Sequence, residues 1–472
     1  MISDSEFANR LYYEYEDYFE TSLLKRRFKH KDIIPLINKL KNKNIFTVKK
    51  IGSSTEGRDL NFISCGKGKT KVFLWSQMHG NEPTATMAMF DIFNFLLSTK
   101  NFVEIKNKIL KYLKIYFLPM VNPDGAEKYQ RRNIFDIDLN RDAIKLESKE
   151  AQILMRTFKN LKADFGFNLH DQDIHYSAGK TFKPATISFL APPTNEKREN
   201  TDVRKDAERL IVRLYKILNE FIPGHIAKYP DEFEPRAFGD NFQKMRTSTI
   251  LIESGGWKND PEKQFIRKLN FIALLTAFKS IAENSYKKEV LNNYDEIPLN
   301  SECLRDIILR NLEIRKNGKK CSVDIAVNLE EINTNNYLDF YYKSKIEDIG
   351  DLSTFYGYED HDFSGMTVEP GKTFPDKFNS IKELEEINPE TLYKKGYTNI
   401  LLKKPNKKID KIRRPFNIVL NNSGIDENQI LLENLANLVF KKNGKIEYIM
   451  INGFLHSLKY SSGEINEGLI VY

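Results

Sequence analysis

The first 290 residues read as an α/β layer sandwich with a mostly parallel sheet, and the remainder as a β-rich extension. Three observations predict this. Short apolar runs suited to strands alternate with longer segments of helical periodicity. The runs KVFLWSQM at 71–78, KIYFLPMVN at 114–122 and STILIES at 248–254 are apolar almost without interruption, as strands buried on both faces are. Beyond Tyr286 the helical pattern gives way to strand-like segments separated by turns. At 472 residues the chain is too long for one core, and the expected division is 1–290, 291–375 and 376–472.

Taken in order, residues 3–44 are helical in period, with a second helix opening near Asp32. Residues 46–68 give two short strands joined by a turn at Ser53–Gly57. The strand at 71–78 breaks into the turn HGNE, 79–82, and Pro83 suits the first turn of a helix over Thr84–Leu97. A helix over Val103–Leu113 precedes the strand that ends in Asn-Pro-Asp-Gly at 122–125. There follow a helix over Ser148–Asn160, strands at Asp164–His170 and Thr186–Leu190, a long charged helix over Asn195–Phe221, the strand at 248–254 and a helix from Pro261 to about Ser285. In the extension DIILRNLEIR, CSVDIAVNL, NYLDFYYKS, TNILLKK, FNIVL, KIEYIMINGFL and GLIVY read as strands, and SIKELEEI as a short helix. The basic stretch 403–415 reads as a solvated loop.

Composition excludes several classes. The 73 basic and 65 acidic residues are intermixed, so the net charge of +8 describes a mildly basic surface and not an arm for nucleic acid. No run approaches the 18 apolar residues that cross a bilayer, so no membrane partner is expected. The amino terminus is acidic and aromatic, unlike a secretory leader, and a soluble, cytoplasmic protein is expected; a secreted chain already freed of its leader would read the same way. Cys65, Cys303 and Cys321 are too few and too scattered for a disulfide framework or a Cys-based metal site, and are read as free thiols, with Cys303–Cys321 the one bridge considered.

The chemistry gathers at strand ends. His79 and Glu82 follow one buried strand, and an imidazole and a carboxylate three residues apart can close on one metal ion, for which zinc accepts the mixed N and O set. Alone, HxxE is a chance-level pattern. His170 closes the strand FGFNL and supplies a third ligand, which leaves a fourth position open, the mark of a catalytic zinc site. Glu253, at the end of TSTILIE, is the best candidate for a general base and acid. The segment 129–142 brings Arg131, Arg132, Asn140 and Arg141 together, guanidinium groups being suited both to gripping a carboxylate and to stabilising oxyanion charge. Asp138 could accept the second ring N–H of a zinc-bound His.

With HGNE at 79–82, NPDG at 122–125, DLNR at 138–141, NLH at 168–170 and LIES at 251–254, all in order, the sequence resembles the zinc carboxypeptidases of the funnelin type over about residues 45–285. The resemblance implies a three-layer α/β/α fold on a mixed eight-stranded sheet. It implies one zinc per catalytic domain, held by His79, Glu82 and His170, with Glu253 as general base and acid. Asn140 and Arg141 would hold the substrate's terminal carboxylate, and Arg131 would stabilise the oxyanion, with Arg132 its rival. Asn81 stands where digestive members carry an arginine. No tyrosine is assigned to their mobile one; Arg236 or Gln243 is considered for that polar contact.

The function expected is hydrolysis of the C-terminal amide bond of peptides by a zinc-dependent metallopeptidase, on a peptide or amide substrate with a free carboxylate. Two other readings stay open: a zinc amidase, deacylase or cell-wall peptide hydrolase acting on an unusual amide, and a non-catalytic binding protein that retains the fold.

Overall fold

Alternation of burial along the strands builds the core. In the computed structural model, which describes residues 2–403, 414–420, 429–459 and 465–471, the chain divides into two compact units: residues 1–302 with 336–338, and residues 303–335 with 339–472.

The first unit carries β1 (Phe46–Ser53), β2 (Asp59–Gly66), β3 (Thr70–Ser76), β4 (Leu113–Leu118), β5 (Phe165–Asp171), β6 (Ser177–Ala178), β7 (Ile187–Leu190), β8 (Ile226–Lys228) and β9 (Ser248–Ser254). All but β6 form one sheet in the order β1-β2-β4-β3-β5-β9-β7-β8. The four central strands β4, β3, β5 and β9 are parallel, while β2 on one side and β7 on the other run against their neighbours. The helices are α1 (Asp4–Tyr13), α2 (His30–Lys41), α3 (Thr84–Leu97), α4 (Val103–Tyr112), α5 (Pro123–Glu127), α6 (Lys149–Leu161), α7 (Asp202–Leu218), α8 (Phe238–Lys244), α9 (Gln264–Glu283) and the short α10 (Asn292–Asp295). This is the mixed α/β architecture read from the sequence. The long charged helix is shorter than expected, because Thr201 rather than Asn195 precedes its first turn.

Each strand sends alternate residues to two apolar layers. Val72 and Leu74 of β3, Phe165, Phe167 and Leu169 of β5, and Ile250 and Ile252 of β9 join one core with α1, α3, α7 and α9. Phe73 and Trp75 of β3 turn to the other face, against Leu154 and Phe158 of α6 and Phe238 and Phe242 of α8. His170 and Glu253, one residue beyond Leu169 and Ile252, therefore fall on that second face.

In the second unit an eight-stranded sheet begins with a hairpin whose turn residues, Asn317 and Gly318, both have positive φ (53° and 73°), the geometry of a two-residue hairpin turn. Four short parallel strands, at 372–378, 397–402, 417–420 and 470–471, make a second sheet. The strand Lys445–Ile451 sends Met450 to one core and Ile449 and Ile451 to another, so strands from both sides of position 375 share one unit. Residues 404–413 of the basic stretch lie outside the described residues. The three cysteines are free, and no helix among the described residues is long and apolar enough to cross a membrane.

One buried ion pair ties α3 and α9, and the segment after α1, on one face of the sheet. Arg267 of α9 and Asp91 of α3 are fully buried, with Nε 2.7 Å from Oδ2. Asp91 also accepts from the Tyr15 hydroxyl at 2.7 Å and the Glu20 amide at 2.8 Å, and Arg267 donates to the Leu23 carbonyl at 2.6 Å. Asp91→Ala leaves a buried guanidinium without its counter-charge, at a cost of about 3–5 kcal/mol. The urea midpoint of the first unit, followed by Trp75 and Trp257 fluorescence, is expected to fall accordingly; an unchanged midpoint would show that the pair does not hold these elements.

Candidate metal centre

Backbone packing sets the first two side chains. Where β3 ends, Gln77 takes a left-handed conformation (φ 51°) and its amide donates to the Gly80 carbonyl at 3.0 Å. A side chain at Gly80 would place its Cβ 2.1 Å from the carbonyl carbon of Gly125, so only glycine lets the HGNE turn rest on the NPDG turn. Asn122 completes the join: its amide N–H donates to the Gln77 carbonyl at 3.0 Å, while its Oδ1 accepts from Gly125 at 2.8 Å and caps α5. His79 and Glu82 are thus fixed on a rigid turn. His170 and Glu253 are register partners on the parallel strands β5 and β9, side by side at the carboxyl edge of the sheet.

The donor atoms converge. Nδ1 of His79 is 2.7 Å from Oε1 of Glu82, Nδ1 of His170 is 2.7 Å from Oε2, and the two Nδ1 atoms are 3.2 Å apart. All three residues are buried. Two nitrogens bound to one tetrahedral zinc at ~2.0–2.1 Å stand roughly 3.3 Å apart, so the spacing fits a zinc-sized ion. On the far side of the ring, Nε2 of His79 donates to Oδ1 of Asp138 at 3.0 Å, which leaves Nδ1 free as a ligand. Nε2 of His170, also buried, finds no partner among the described residues.

Charges around the set explain its protonation. Burial opposes ionisation of Glu82, but the imidazoles of His79 and His170 hold its carboxyl well below the usual range. Asp138, likewise against its burial, is held low by its bond to His79 and by Arg131. Burial, followed by the charges of Glu82 and Asp171, pushes Glu253 well above the usual carboxyl range. Its carboxylate takes no hydrogen bond from the described residues.

The arginines separate. Nη1 of Arg131 lies 3.1 Å from both His79 Nδ1 and Glu82 Oε1, and its Nε donates to Asp138 at 3.1 Å. Arg132 turns away to donate to the Asp136 carbonyl at 2.8 Å. Asn140 is buried, its Oδ1 accepting from the Phe238 amide at 3.0 Å. Arg141 is half exposed, with Nε 3.3 Å from Glu234 Oε2. Arg236 places Nε and Nη2 on the same Glu234 carboxylate, at 3.0 and 2.9 Å. Gln243 is buried and accepts from the Thr249 amide at 2.7 Å, a bond that fastens α8 to β9.

Sequence reasoning placed Tyr229 slightly upstream of the family's mobile tyrosine and left it unassigned. It directly follows β8, a three-residue strand too short to read, and its phenol is pushed up by burial and then by the charge of Glu253, with Asn300 bonded to its hydroxyl. Tyr176 stands beside it, ring centroids 5.8 Å apart. Missed outright was the pair of Lys263 and Asp171, 3.4 Å apart, behind the ligand set; the Asp after His170 was the only sequence signal for it.

Comparison with known proteins matches residues 33–179 to the family described as zinc carboxypeptidase. Carboxypeptidase 2 of Trichophyton rubrum is 28% identical over 148 residues, 31% of this chain and 26% of the relative. Carboxypeptidase 2 of Trichophyton tonsurans is 26% identical over the same length, again 31% and 26% of the two chains. The match thus spans about a quarter of these relatives' length. The solved carboxypeptidase A of Helicoverpa armigera superposes with a TM-score of 0.45 at 14% identity, over 60% of this chain and 81% of that one, too loosely to argue from. His79, Glu82, Arg131, Asn140, Arg141 and His170 all lie within the matched residues, over which the chain is similar to the zinc carboxypeptidase family.

Proposed function

We propose that the protein is a zinc-dependent metallocarboxypeptidase that hydrolyses the C-terminal amide bond of peptides. The observation that carries this reading is the convergence of two Nδ1 atoms and one carboxylate beside a strand-end glutamate that takes no hydrogen bond from the described residues. His79, Glu82 and His170 would hold one zinc. Bound there, zinc supplies Lewis acidity for the scissile carbonyl and for water.

The chain's own residues do the rest. Glu253 takes a proton from the attacking water as its oxygen bonds to the carbonyl carbon, and delivers it to the nitrogen as the C–N bond breaks. Arg131, whose guanidinium already faces the ligand set, donates to the oxygen that gains charge. Asn140 and Arg141 orient the substrate by its terminal carboxylate, with Arg236 near them on the same Glu234. Asp138 keeps His79 in one tautomer throughout.

A peptide library digested by the zinc-loaded protein and read by mass spectrometry tests the reading. Loss of single C-terminal residues from free peptides, with C-terminally amidated peptides untouched, is expected; equal cleavage of both would point to the amidase reading. Glu253→Gln is expected to keep its zinc and lose about 10²–10⁴ in kcat, and retained turnover would remove Glu253 from its role.

Metal content checks the ligands directly. The His79→Ala, His170→Ala double variant is expected to purify without stoichiometric zinc by atomic emission, and an unchanged content would sink the assignment. The two arginines are told apart by rate. Arg131→Ala is expected to lower kcat about 10²–10³-fold, the scale of one lost oxyanion donor, while Arg132→Ala stays within a few-fold; the reverse order would exchange their roles.

A further inference from the structure

Arg141 already has a carboxylate partner. Glu234 lies between two guanidinium groups, with Oε2 3.3 Å from Arg141 Nε and 2.9 Å from Arg236 Nη2, and with Oε1 accepting from Arg236 Nε at 3.0 Å. The contact is built in. Glu234 donates its own amide to Asp240 Oδ1 at 3.0 Å, its Oε1 also accepts from the Arg236 amide at 3.0 Å, and its carbonyl accepts from the Ala237 amide at 2.9 Å. The same loop is stitched to the segment that bears Arg141, through the Ala143 amide on the Arg236 carbonyl at 3.0 Å and the Phe238 amide on Asn140 at 3.0 Å. Arg236, and then Arg141, hold the Glu234 carboxyl below its usual range. The side chains of Arg141 and Glu234 remain 40% and 29% exposed, so a carboxylate arriving from solvent can reach them.

We infer that Glu234 is a specificity-determining residue of the carboxylate grip, a resident carboxylate that the substrate's own must displace from Arg141 or share with it. This rests on the proposed function, in which Arg141 holds the terminal carboxylate. Glu234 sets how strongly free-carboxylate ligands bind, and it leaves ligands that lack the charge unaffected. Because ion pairs this exposed are weak, the competition is worth only about threefold in affinity.

Calorimetric titration of the zinc-loaded full chain with N-acetyl-leucine, N-acetyl-lysine and N-acetyl-glutamate, each beside its C-terminal amide, tests the inference. Glu234→Gln is expected to bind at least one of the acids about threefold more tightly than the unaltered chain, and the amides equally. Glu234→Asp, which keeps the charge, stays near the unaltered chain, and adding Arg141→Ala to Glu234→Gln erases the gain. Equal or weaker binding of the acids by Glu234→Gln overturns the inference and leaves Glu234 a loop residue. So does absence of acid binding in every form. The peptide digest decides the proposed function separately: cleavage of free peptides with no effect of Glu234→Gln on acid binding defeats the inference alone, and equal cleavage of amidated peptides defeats both.

Discussion

The parallel register of β3, β5 and β9 is the constraint on which the rest depends. Leu169 and Ile252 are partners across β5 and β9 and belong to the core beneath α3 and α9. Their burial forces the next pair, His170 and Glu253, onto the opposite face and to the carboxyl edge, where parallel sheets collect reactive groups. A slip of one residue in either strand would turn Ile252 or Leu169 out of the core. The apolar core thus enforces the placement of the polar site.

A second constraint fixes the other half of the ligand set. His79 and Glu82 lie on a turn, which would ordinarily be the softest part of the fold. Here the turn is pressed backbone to backbone on Gly125, and Gln77 and Asn122 hold both turns with their side-chain amides. The site also crowds four carboxyl groups, Glu82, Asp138, Asp171 and Glu253, around Arg131 and Lys263, and burial together with the neighbouring carboxylates pushes Asp171 and Glu253 up. A divalent cation would relieve that crowding of carboxyl groups, which is a physical reason, apart from ligand geometry, for the donor set to suit one.

Most of this was legible in the sequence because it rests on short-range pattern. Unbroken apolar runs gave the central strands, and the polar residue ending each run gave His79, His170 and Glu253. What could not be read depends on contacts between distant segments. Tyr229 follows a strand of three residues with no periodicity to detect. The partners of Arg132 and Arg141 hinge on side-chain direction, and spacing alone could not tell that Arg132 turns to its own loop while Arg131 turns to the ligands. A boundary at 375 looked natural because a helix follows it, but strands far apart in sequence close one sheet across it.

Glu253 lies outside residues 33–179, the part matched to the zinc carboxypeptidase family. The family match therefore spans the three proposed ligands and stops short of the proposed base. What joins Glu253 to them is the sheet, through β9 lying directly against β5 and sharing its register to the last residue of each strand. The same logic holds for Tyr229, Arg236 and Glu234, which stand on the segment between β8 and β9, also beyond the match. The proposed ligands thus lie inside the matched residues, and the groups proposed to choose and position a substrate include several outside them. The placement of Glu253 therefore rests on sheet register, and that of Glu234 on its bonds to Arg141 and Arg236.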